Sequence, residues 1–263
     1  MKLTLVPSAV GHGADDQDQF LSSYLLNDAV AIDAGCLGLF LTPEAQAQVK
    51  HVFISHSHID HIASLPIFIE NVYDVETSGV VIHGSDAVLE SLRRDVFNNR
   101  VWPDFTRLPT KSEPFVKLSR FDDLAKIEVA GLKITPVPVN HVVPTHGFIV
   151  ESAEAAIVIP SDTGPTEKIW ECANQTPHLC AVFLEATFPN ALAQLAGISK
   201  HLTPALFAAE IAKLKQSVPV YAVHLKARFR ATLIEELRAL AIPNLQIGKF
   251  GIPYEFGDAR GGQ

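Results

Sequence analysis

Cysteine is scarce in this sequence, with only three among 263 residues. Cys36, Cys172 and Cys180 include no Cys-x-x-Cys pair, and an odd number of thiols cannot all pair with one another. The pattern excludes a disulfide framework and a structural zinc site built on thiolates. Buried free thiols are therefore the expected state of these residues.

Long apolar runs and an excess of positive charge are also missing. No apolar stretch approaches the ~18 residues of a membrane-spanning helix, and the first residues lack the apolar core of a signal peptide. The chain carries 21 basic and 29 acidic residues, a net charge of −8. This balance argues against a general nucleic-acid or membrane binder. We expect a cytoplasmic protein with no membrane partner, in which any anionic substrate meets a local positive charge.

Two common catalytic motifs are absent as well. The sequence has no Gly-x-Ser-x-Gly elbow and no Walker-type phosphate loop. Histidine, in contrast, is abundant, with 11 residues. Any metal chemistry should therefore use imidazole rather than thiolate ligands.

Short β-like runs and helical patterns alternate along a chain whose length fits a single domain, residues 1–263. Eleven segments are predicted as strands: 3–6, 23–26, 29–32, 51–54, 80–82, 127–130, 133–139, 147–151, 156–159, 181–184 and 220–223. Apolar spacing predicts helices around Phe207 and Leu237, the first capped by Thr203. Strand pairs mixed with spaced helices predict an α/β fold of two mixed sheets flanked by helices.

Residues 93–120 differ from the rest of the chain in composition. This basic window has seven basic and three acidic residues, with four aromatic residues interleaved among three prolines. Its basic residues are Arg93, Arg94, Arg100, Arg107, Lys111, Lys117 and Arg120. One interpretation is an ordered surface excursion that meets an anionic or aromatic ligand. The other is a loop that packs on the body of the protein or on a second subunit, which leaves a homodimer open.

The sharpest feature is a histidine-rich segment directly after the predicted strand 51–54. It places four ligand-type residues within six positions: His56, His58, Asp60 and His61. Such residues are seldom concentrated where a buried strand emerges unless they are paired or bind a metal. A tetrahedral site takes about four ligands, and a hydrolytic site keeps one position for water. The segment therefore favours two metal ions over one.

The remaining ligands are expected at later strand ends. His141, Asp162 and His224 each follow a predicted strand, so one edge of the sheets can collect them. Five imidazoles and two carboxylates suit zinc, with manganese or iron as alternatives. The same set disfavours magnesium and calcium.

The order His-x-His-x-Asp-His, followed by a distant His, Asp and His, resembles the metallo-β-lactamase superfamily over essentially the whole chain. The resemblance implies an αββα sandwich with two divalent metal ions at one sheet edge. It implies that His56, His58 and His141 bind one ion, that Asp60, His61 and His224 bind the other, and that Asp162 bridges them. Asp33 matches an early structural aspartate of the superfamily, which would support a ligand rather than bind metal.

Several segments are similar to the class II 3′,5′-cyclic-nucleotide phosphodiesterases. They are Ser22–Leu26, His141–Phe148, Glu185–Asn190, Ser199–Pro204 and His224–Lys226. The resemblance implies hydrolysis of cAMP or cGMP to the 5′-monophosphate, with a metal-bridging hydroxide as the nucleophile. A small cyclic nucleotide is therefore the expected partner.

Asp60 is expected to act in catalysis as a metal ligand. Four further residues are expected to have other roles in the site. His201 is the candidate proton donor to the leaving ribose oxygen, and Glu185 would orient or recharge it. Lys226, two residues beyond His224, is placed to reach a phosphate oxygen. His146 is a candidate for lining the substrate pocket.

Three alternatives stay open. The related tRNase Z family shares the Glu-Ala-Thr-Phe segment at Glu185, but a chain at −8 lacks the basic footprint that nucleic-acid binding requires. The same scaffold also supports ester, thioester or lactam hydrolysis, because a fold does not fix a function. A non-catalytic member would be expected to have lost ligands, whereas all seven positions are filled here.

Overall fold

The computed structural model describes residues 1–8, 18–110 and 113–257. Two compact units divide the chain. The first, called here the N-terminal unit, contains residues 2–122 and 250–254. The C-terminal unit contains residue 1, residues 123–249 and the chain from 255 onward. Each unit is built on a seven-stranded mixed sheet, which confirms the predicted α/β class of two mixed sheets with helices.

The sheet of the N-terminal unit has the strand order β14-β1-β2-β3-β4-β5-β6. Its strands are β1 (Lys2–Leu5), β2 (Tyr24–Leu26), β3 (Val30–Ile32), β4 (His51–Phe53), β5 (Val80–Gly84), β6 (Val116–Arg120) and β14 (Pro253–Glu255). The helices are α1 (Pro43–Gln46), α2 (Ile59–Ile62), α3 (Leu65–Val72) and α4 (Asp86–Ser91), the last continuing in a π-helical turn, Leu92–Val96. Strands β3 to β6 run parallel, so their carboxyl ends meet at one edge.

The aromatic residues of the basic window pack on the N-terminal unit. Phe97, Phe105 and Phe115 are buried in the core of this unit, and Trp102 packs against it. Burial of these three rings removes them from the aromatic-ligand role of the first interpretation. Four basic side chains are paired with nearby acids: Arg94 with Asp95, Arg107 with Asp104, Lys117 with Glu113 and Arg120 with Asp122. Lys111 lies outside the described residues.

The sheet of the C-terminal unit has the strand order β13-β12-β11-β10-β9-β8-β7. Its strands are β7 (Ile127–Val129), β8 (Leu132–Val139), β9 (Thr145–Glu151), β10 (Ala156–Ser161), β11 (Leu179–Glu185), β12 (Val220–Val223) and β13 (Leu245–Ile247). The helices are α5 (Lys168–Gln175), α6 (Ala193–Ser199), α7 (Pro204–Ile211) and α8 (Arg230–Ala239). Single 3₁₀ turns lie at Leu37–Leu39, Asn190–Leu192 and Ala227–Phe229.

Strand direction in the C-terminal unit decides where the loops that follow its strands meet. Strands β10, β11 and β12 are mutually parallel, and β8 runs the same way because β9 is antiparallel to both β8 and β10. The carboxyl ends of these four strands therefore lie at one edge of the sheet, where open α/β sheets collect functional groups.

All eleven predicted strands are present, with ends that differ by at most two residues, and both predicted helices form as α7 and α8. The Thr203 hydroxyl caps α7 by accepting a hydrogen bond from the amide of Leu206 at 3.3 Å. No helix within the described ranges is long and apolar enough to cross a membrane.

Candidate metal and catalytic site

The histidine-rich segment of the N-terminal unit folds into a compact group of rings. It leaves β4 after Phe53 and enters α2, so its side chains share one short loop and one helical turn. The ring of His56 lies 4.6 Å from that of His58 and 4.1 Å from that of His61, measured between centroids. Asp60 Oδ2 lies 4.0 Å from Nε2 of His61. The structure therefore brings together the four residues that the sequence singled out.

Asp33 is fully buried beside this group and accepts three hydrogen bonds. They come from the amide and hydroxyl of Ser55, both at 2.8 Å, and from Nδ1 of His61 at 2.7 Å. Asp33 has φ of 57°, a left-handed conformation that aspartate tolerates better than most residues. The Ser55 hydroxyl also lies 3.0 Å from Nδ1 of His56. Ser55 thus links the carboxylate to a second histidine, a contact that sequence reasoning missed.

A second group lies at the carboxyl edge of the C-terminal sheet. His141 follows β8, Asp162 follows β10 and His224 follows β12, each at the strand end where the sequence placed it. His141 and Asp162 form one set of ligand-type atoms with His201, all within 4.8 Å of one another. His224 forms another such set with Glu185 and His201. Nε2 of His224 lies 3.6 Å from Oδ1 of Asp162.

Glu185, the last residue of β11, is buried and contacts several residues of this second group. Its Oε1 lies 2.8 Å from Nδ1 of His201 and accepts a hydrogen bond from the amide of Thr163 at 2.9 Å. Its Oε2 accepts bonds from the Leu202 amide at 3.2 Å and the Thr187 hydroxyl at 2.5 Å. Both oxygens are therefore satisfied although the carboxylate is buried.

The electrostatic environment of His201 favours its protonated form. Burial of the ring lowers its pKa, but the charge and hydrogen bond of Glu185, with the charge of Asp162, raise the pKa above its ordinary value. Lys226 opposes this shift. The ring of His201 lies 5.0 Å from that of His141 and stacks on that of His224 at 5.8 Å. A protonated imidazole held by a carboxylate is suited to proton donation.

Metal-binding histidines commonly donate one ring nitrogen to a protein oxygen, which fixes the tautomer and turns the other nitrogen to the metal. Four of the predicted ligand histidines show this arrangement at Nδ1. The partner is Ser55 Oγ for His56 (3.0 Å), Asp33 for His61 (2.7 Å), the Lys200 carbonyl for His141 (3.0 Å) and Thr187 Oγ1 for His224 (3.1 Å). Because Nδ1 is engaged in each case, Nε2 is the nitrogen that would bind a metal. Together with the carboxylates, this donor set fits zinc, manganese or iron.

Two other predicted site residues have different surroundings. His146, on β9, is buried and forms a hydrogen bond from Nε2 to Asp123 at 2.8 Å. It does not belong to the sets of ligand-type atoms described above for this unit. Lys226 directly precedes the 3₁₀ turn after His224, and its Nζ lies 5.6 Å from the centroid of the Phe188 ring. A pocket-lining role for His146 and a phosphate contact for Lys226 stay predictions.

Backbone conformation is unusual in each of the two groups. Asp33, Ser161, Lys200 and His224 all have φ between 53° and 59°. Such conformations are costly for residues with a β-carbon and persist where surrounding contacts hold them. Lys200 carried no signal in the sequence, because its partner, His141, is 59 residues away.

The sequence matches known phosphodiesterases. Residues 41–156 match the family model for class-II cAMP phosphodiesterases. A probable 3′,5′-cyclic-nucleotide phosphodiesterase of Yersinia pestis is 28% identical over 246 residues, covering 81% of this chain and 68% of that protein. The 3′,5′-cyclic-nucleotide phosphodiesterase 1 of Saccharomyces cerevisiae is 24% identical over 239 residues, covering 76% and 64%. The matched region thus spans about two thirds of the length of these relatives.

Several solved structures are similar to this protein in fold. Unliganded yeast PDE1 gives a TM-score of 0.74 at 17% identity, covering 95% of this chain and 97% of that one. A metallo-β-lactamase fold protein of Bacillus subtilis gives 0.70 at 19% identity, covering 97% and 99%. The short form of human tRNase Z gives 0.66 at 14% identity, covering 97% and 99%. At these identities the structural similarity establishes the fold alone. The sequence matches reported above, in contrast, are all to phosphodiesterases. The chain therefore has the metallo-β-lactamase fold and is similar in sequence to the class II 3′,5′-cyclic-nucleotide phosphodiesterases.

Proposed function

We propose that this protein is a metal-dependent phosphodiesterase that hydrolyses 3′,5′-cyclic nucleotides to 5′-nucleoside monophosphates. The observation that carries the proposal is the shared arrangement of four histidines, each with Nδ1 bonded to a protein oxygen. Such an arrangement fixes the tautomer and the orientation of each imidazole for binding a metal ion. The similarity to phosphodiesterases supplies the substrate class.

The ligand assignment follows the superfamily resemblance. We assign one ion to His56, His58 and His141 and the other to Asp60, His61 and His224, with Asp162 bridging them. Zinc is the preferred occupant because imidazole and carboxylate donors suit it, although manganese and iron accept the same set. When bound, two divalent cations would activate water near neutral pH and offset negative charge on the phosphate.

The protein's own residues complete the reaction. Water adds its oxygen to phosphorus, the bond from phosphorus to the ribose 3′ oxygen breaks, and that oxygen needs a proton. His201 donates it: Glu185 contacts Nδ1 and raises the pKa of the ring, which favours a proton on Nε2 for the substrate. Lys226 contributes a positive charge toward a phosphate oxygen. The product is the 5′-monophosphate.

A product assay tests the proposal. The purified protein, with its metal content measured, is incubated with cAMP, cGMP, a tRNA precursor and an activated aryl phosphodiester. We expect 5′-AMP or 5′-GMP from the cyclic nucleotides and no cleavage of the tRNA precursor. Cleavage of the precursor without hydrolysis of either cyclic nucleotide would establish the tRNase Z-like alternative. Hydrolysis of thioesters or lactams alone would establish the other hydrolase alternative.

A further inference from the structure

Lys200 contacts His141 twice, through its backbone and through its side chain. Its carbonyl oxygen lies 3.0 Å from Nδ1 of His141, and its Nζ donates a hydrogen bond to the carbonyl oxygen of His141 at 3.1 Å. The next residue is His201, whose ring lies 5.0 Å from that of His141. Lys200 therefore contacts a predicted metal ligand, His141, and directly precedes the candidate proton donor, His201.

The backbone of Lys200 is in an unfavourable conformation for a lysine. It ends helix α6 with φ of 53° and ψ of 56°, and its amide donates a hydrogen bond to the carbonyl of Ala196. Helices commonly end in this left-handed conformation, but glycine is the residue that adopts it without strain. Any advantage of lysine over glycine at this position must therefore come from contacts that a glycine cannot make. The structure gives one such contact, from Nζ to the carbonyl of His141.

The two contacts act on the same residue, one on the imidazole of His141 and the other on its backbone. A carbonyl at Nδ1 requires a proton on that nitrogen, so Nε2 is the nitrogen that carries the lone pair. The ammonium group ties the backbone of His141 to the same residue, which limits movement of the ring away from that carbonyl. Partners of this kind commonly change metal affinity by 10–100-fold when they are removed.

We propose that Lys200 is a positioning residue for His141, fixing the tautomer and the direction of its imidazole toward the metal. The inference rests on the proposed function, in which His141 is a metal ligand. Lys200 does not touch the substrate in this role. Its loss should weaken metal binding without removing a ligand.

Three substitutions separate positioning from a general effect on stability. Lys200→Met removes the ammonium group but keeps most of the side chain and the backbone strain. Lys200→Gly removes the ammonium group and relieves the strain. Ala241→Gly is the matched control, because Ala241 lies in the same unit, has φ of 51° and lies outside the site. For each variant, zinc affinity is measured by competition with a chromogenic chelator, and the Tm is measured on the metal-free protein.

We expect Lys200→Met and Lys200→Gly to bind zinc about tenfold more weakly than the unchanged protein. Lys200→Gly should do so with a metal-free Tm equal to or above that of the unchanged protein, because its strain is relieved. Ala241→Gly should also keep or raise the Tm, with unchanged zinc affinity. A purely structural role predicts instead that zinc affinity follows Tm in all three variants, and that result would overturn the inference. Unchanged zinc affinity in both Lys200 variants would overturn it as well.

His141→Ala, measured in the same way, separates this inference from the proposed function. If His141→Ala weakens zinc binding while both Lys200 variants bind normally, the positioning role of Lys200 fails and the ligand assignment stands. If His141→Ala binds zinc like the unchanged protein, the ligand assignment itself fails. Saturating zinc should restore the kcat of the Lys200 variants, since every catalytic group is still present.

Discussion

Oε1 of Glu185 lies 2.8 Å from Nδ1 of His201 and 2.9 Å from the amide nitrogen of Thr163. A single carboxylate oxygen thus contacts the candidate proton donor and the residue that follows Asp162. The carboxylate is buried and the pairing is charge-assisted, so its geometry is well defined. The orientation of His201 and the placement of the loop after Asp162 therefore depend on the same side chain.

Replacing His201 with alanine should separate proton donation from metal binding. We expect the metal content to stay unchanged and kcat for a cyclic nucleotide to fall by about 100- to 10,000-fold, the usual contribution of general acid catalysis. An activated aryl phosphodiester should be affected less, because its leaving group needs little protonation. Steady-state kinetics on both substrates, with metal analysis, check this. His178→Ala, at an exposed histidine of the same unit, is the control. Equal slowing of both substrates would rule out proton donation by His201.

Replacing Asp60 with alanine should remove a metal ligand while leaving the fold largely intact. Its side chain is only partly buried, so the substitution creates no large cavity. We expect lower metal content and loss of turnover, with a circular dichroism spectrum like that of the unchanged protein. Asp95→Ala, at an exposed acid of the same unit, should retain metal and activity. Near-normal hydrolysis by the Asp60 variant would exclude its assignment as a ligand.

Removing metal should lower the thermal stability of the protein. A ligand that binds only the folded state stabilises it, by about 4 kcal/mol when its free concentration exceeds Kd a thousandfold. We expect the Tm to fall after treatment with a chelator and to recover when zinc is added back. Differential scanning calorimetry before and after treatment measures the change. The same Tm in all three samples would mean that no metal binds the folded protein tightly.

The pair of His51 and His83 should make stability depend on pH. Nδ1 of His51 lies 3.0 Å from Nε2 of His83. Burial, with the nearby His51, lowers the pKa of His83 from 6.5 to about 4. Because the folded-state pKa is the lower one, this contribution to stability is present above pH 6.5 and is lost progressively as the pH falls toward 4. The loss between pH 7.5 and pH 5 is about 2 kcal/mol.

Urea unfolding of the unchanged protein and of His83→Phe at both pH values isolates this contribution. Phenylalanine keeps a ring in place against Phe53, on which His83 stacks at 4.2 Å, but it cannot take up a proton. The loss of stability on acidification should therefore be smaller in the variant. If both proteins lose the same stability, His83 does not carry the effect.

The core strands were predictable from the sequence, whereas three edge strands were not. Val220–Val223 was predicted to the residue: β12 lies inside the sheet, between β11 and β13, and three of its four residues are buried and apolar. The missed strands β6, β13 and β14 all lie at sheet edges. An edge strand has a neighbour along only one edge, and these strands carry exposed polar residues such as Lys117, Arg120 and Glu255. The apolar alternation that identifies a strand in the sequence is therefore weak in them.

The places of His141, Asp162 and His224 after strands were predictable, but the hydrogen-bond partners of the candidate ligands were not. Ser55, Thr187 and Lys200 act through contacts that depend on tertiary structure, so no spacing announced them. For the basic window, the sequence left two interpretations open. Its charges suggested a ligand surface, yet much of that charge is neutralised by acids close in sequence, such as Asp104 beside Arg107.

Strand β14 lies beside β1 in the sheet of the N-terminal unit, and the amide of Gly251 just before it bonds to the carbonyl of Leu5 at 2.9 Å. During synthesis, β14 therefore emerges after every other strand of that sheet. Until then β1 offers an unprotected pairing edge, which is a site for aggregation or for binding by chaperones. Completion of that sheet consequently waits for residues 253–255, however early its other strands assemble.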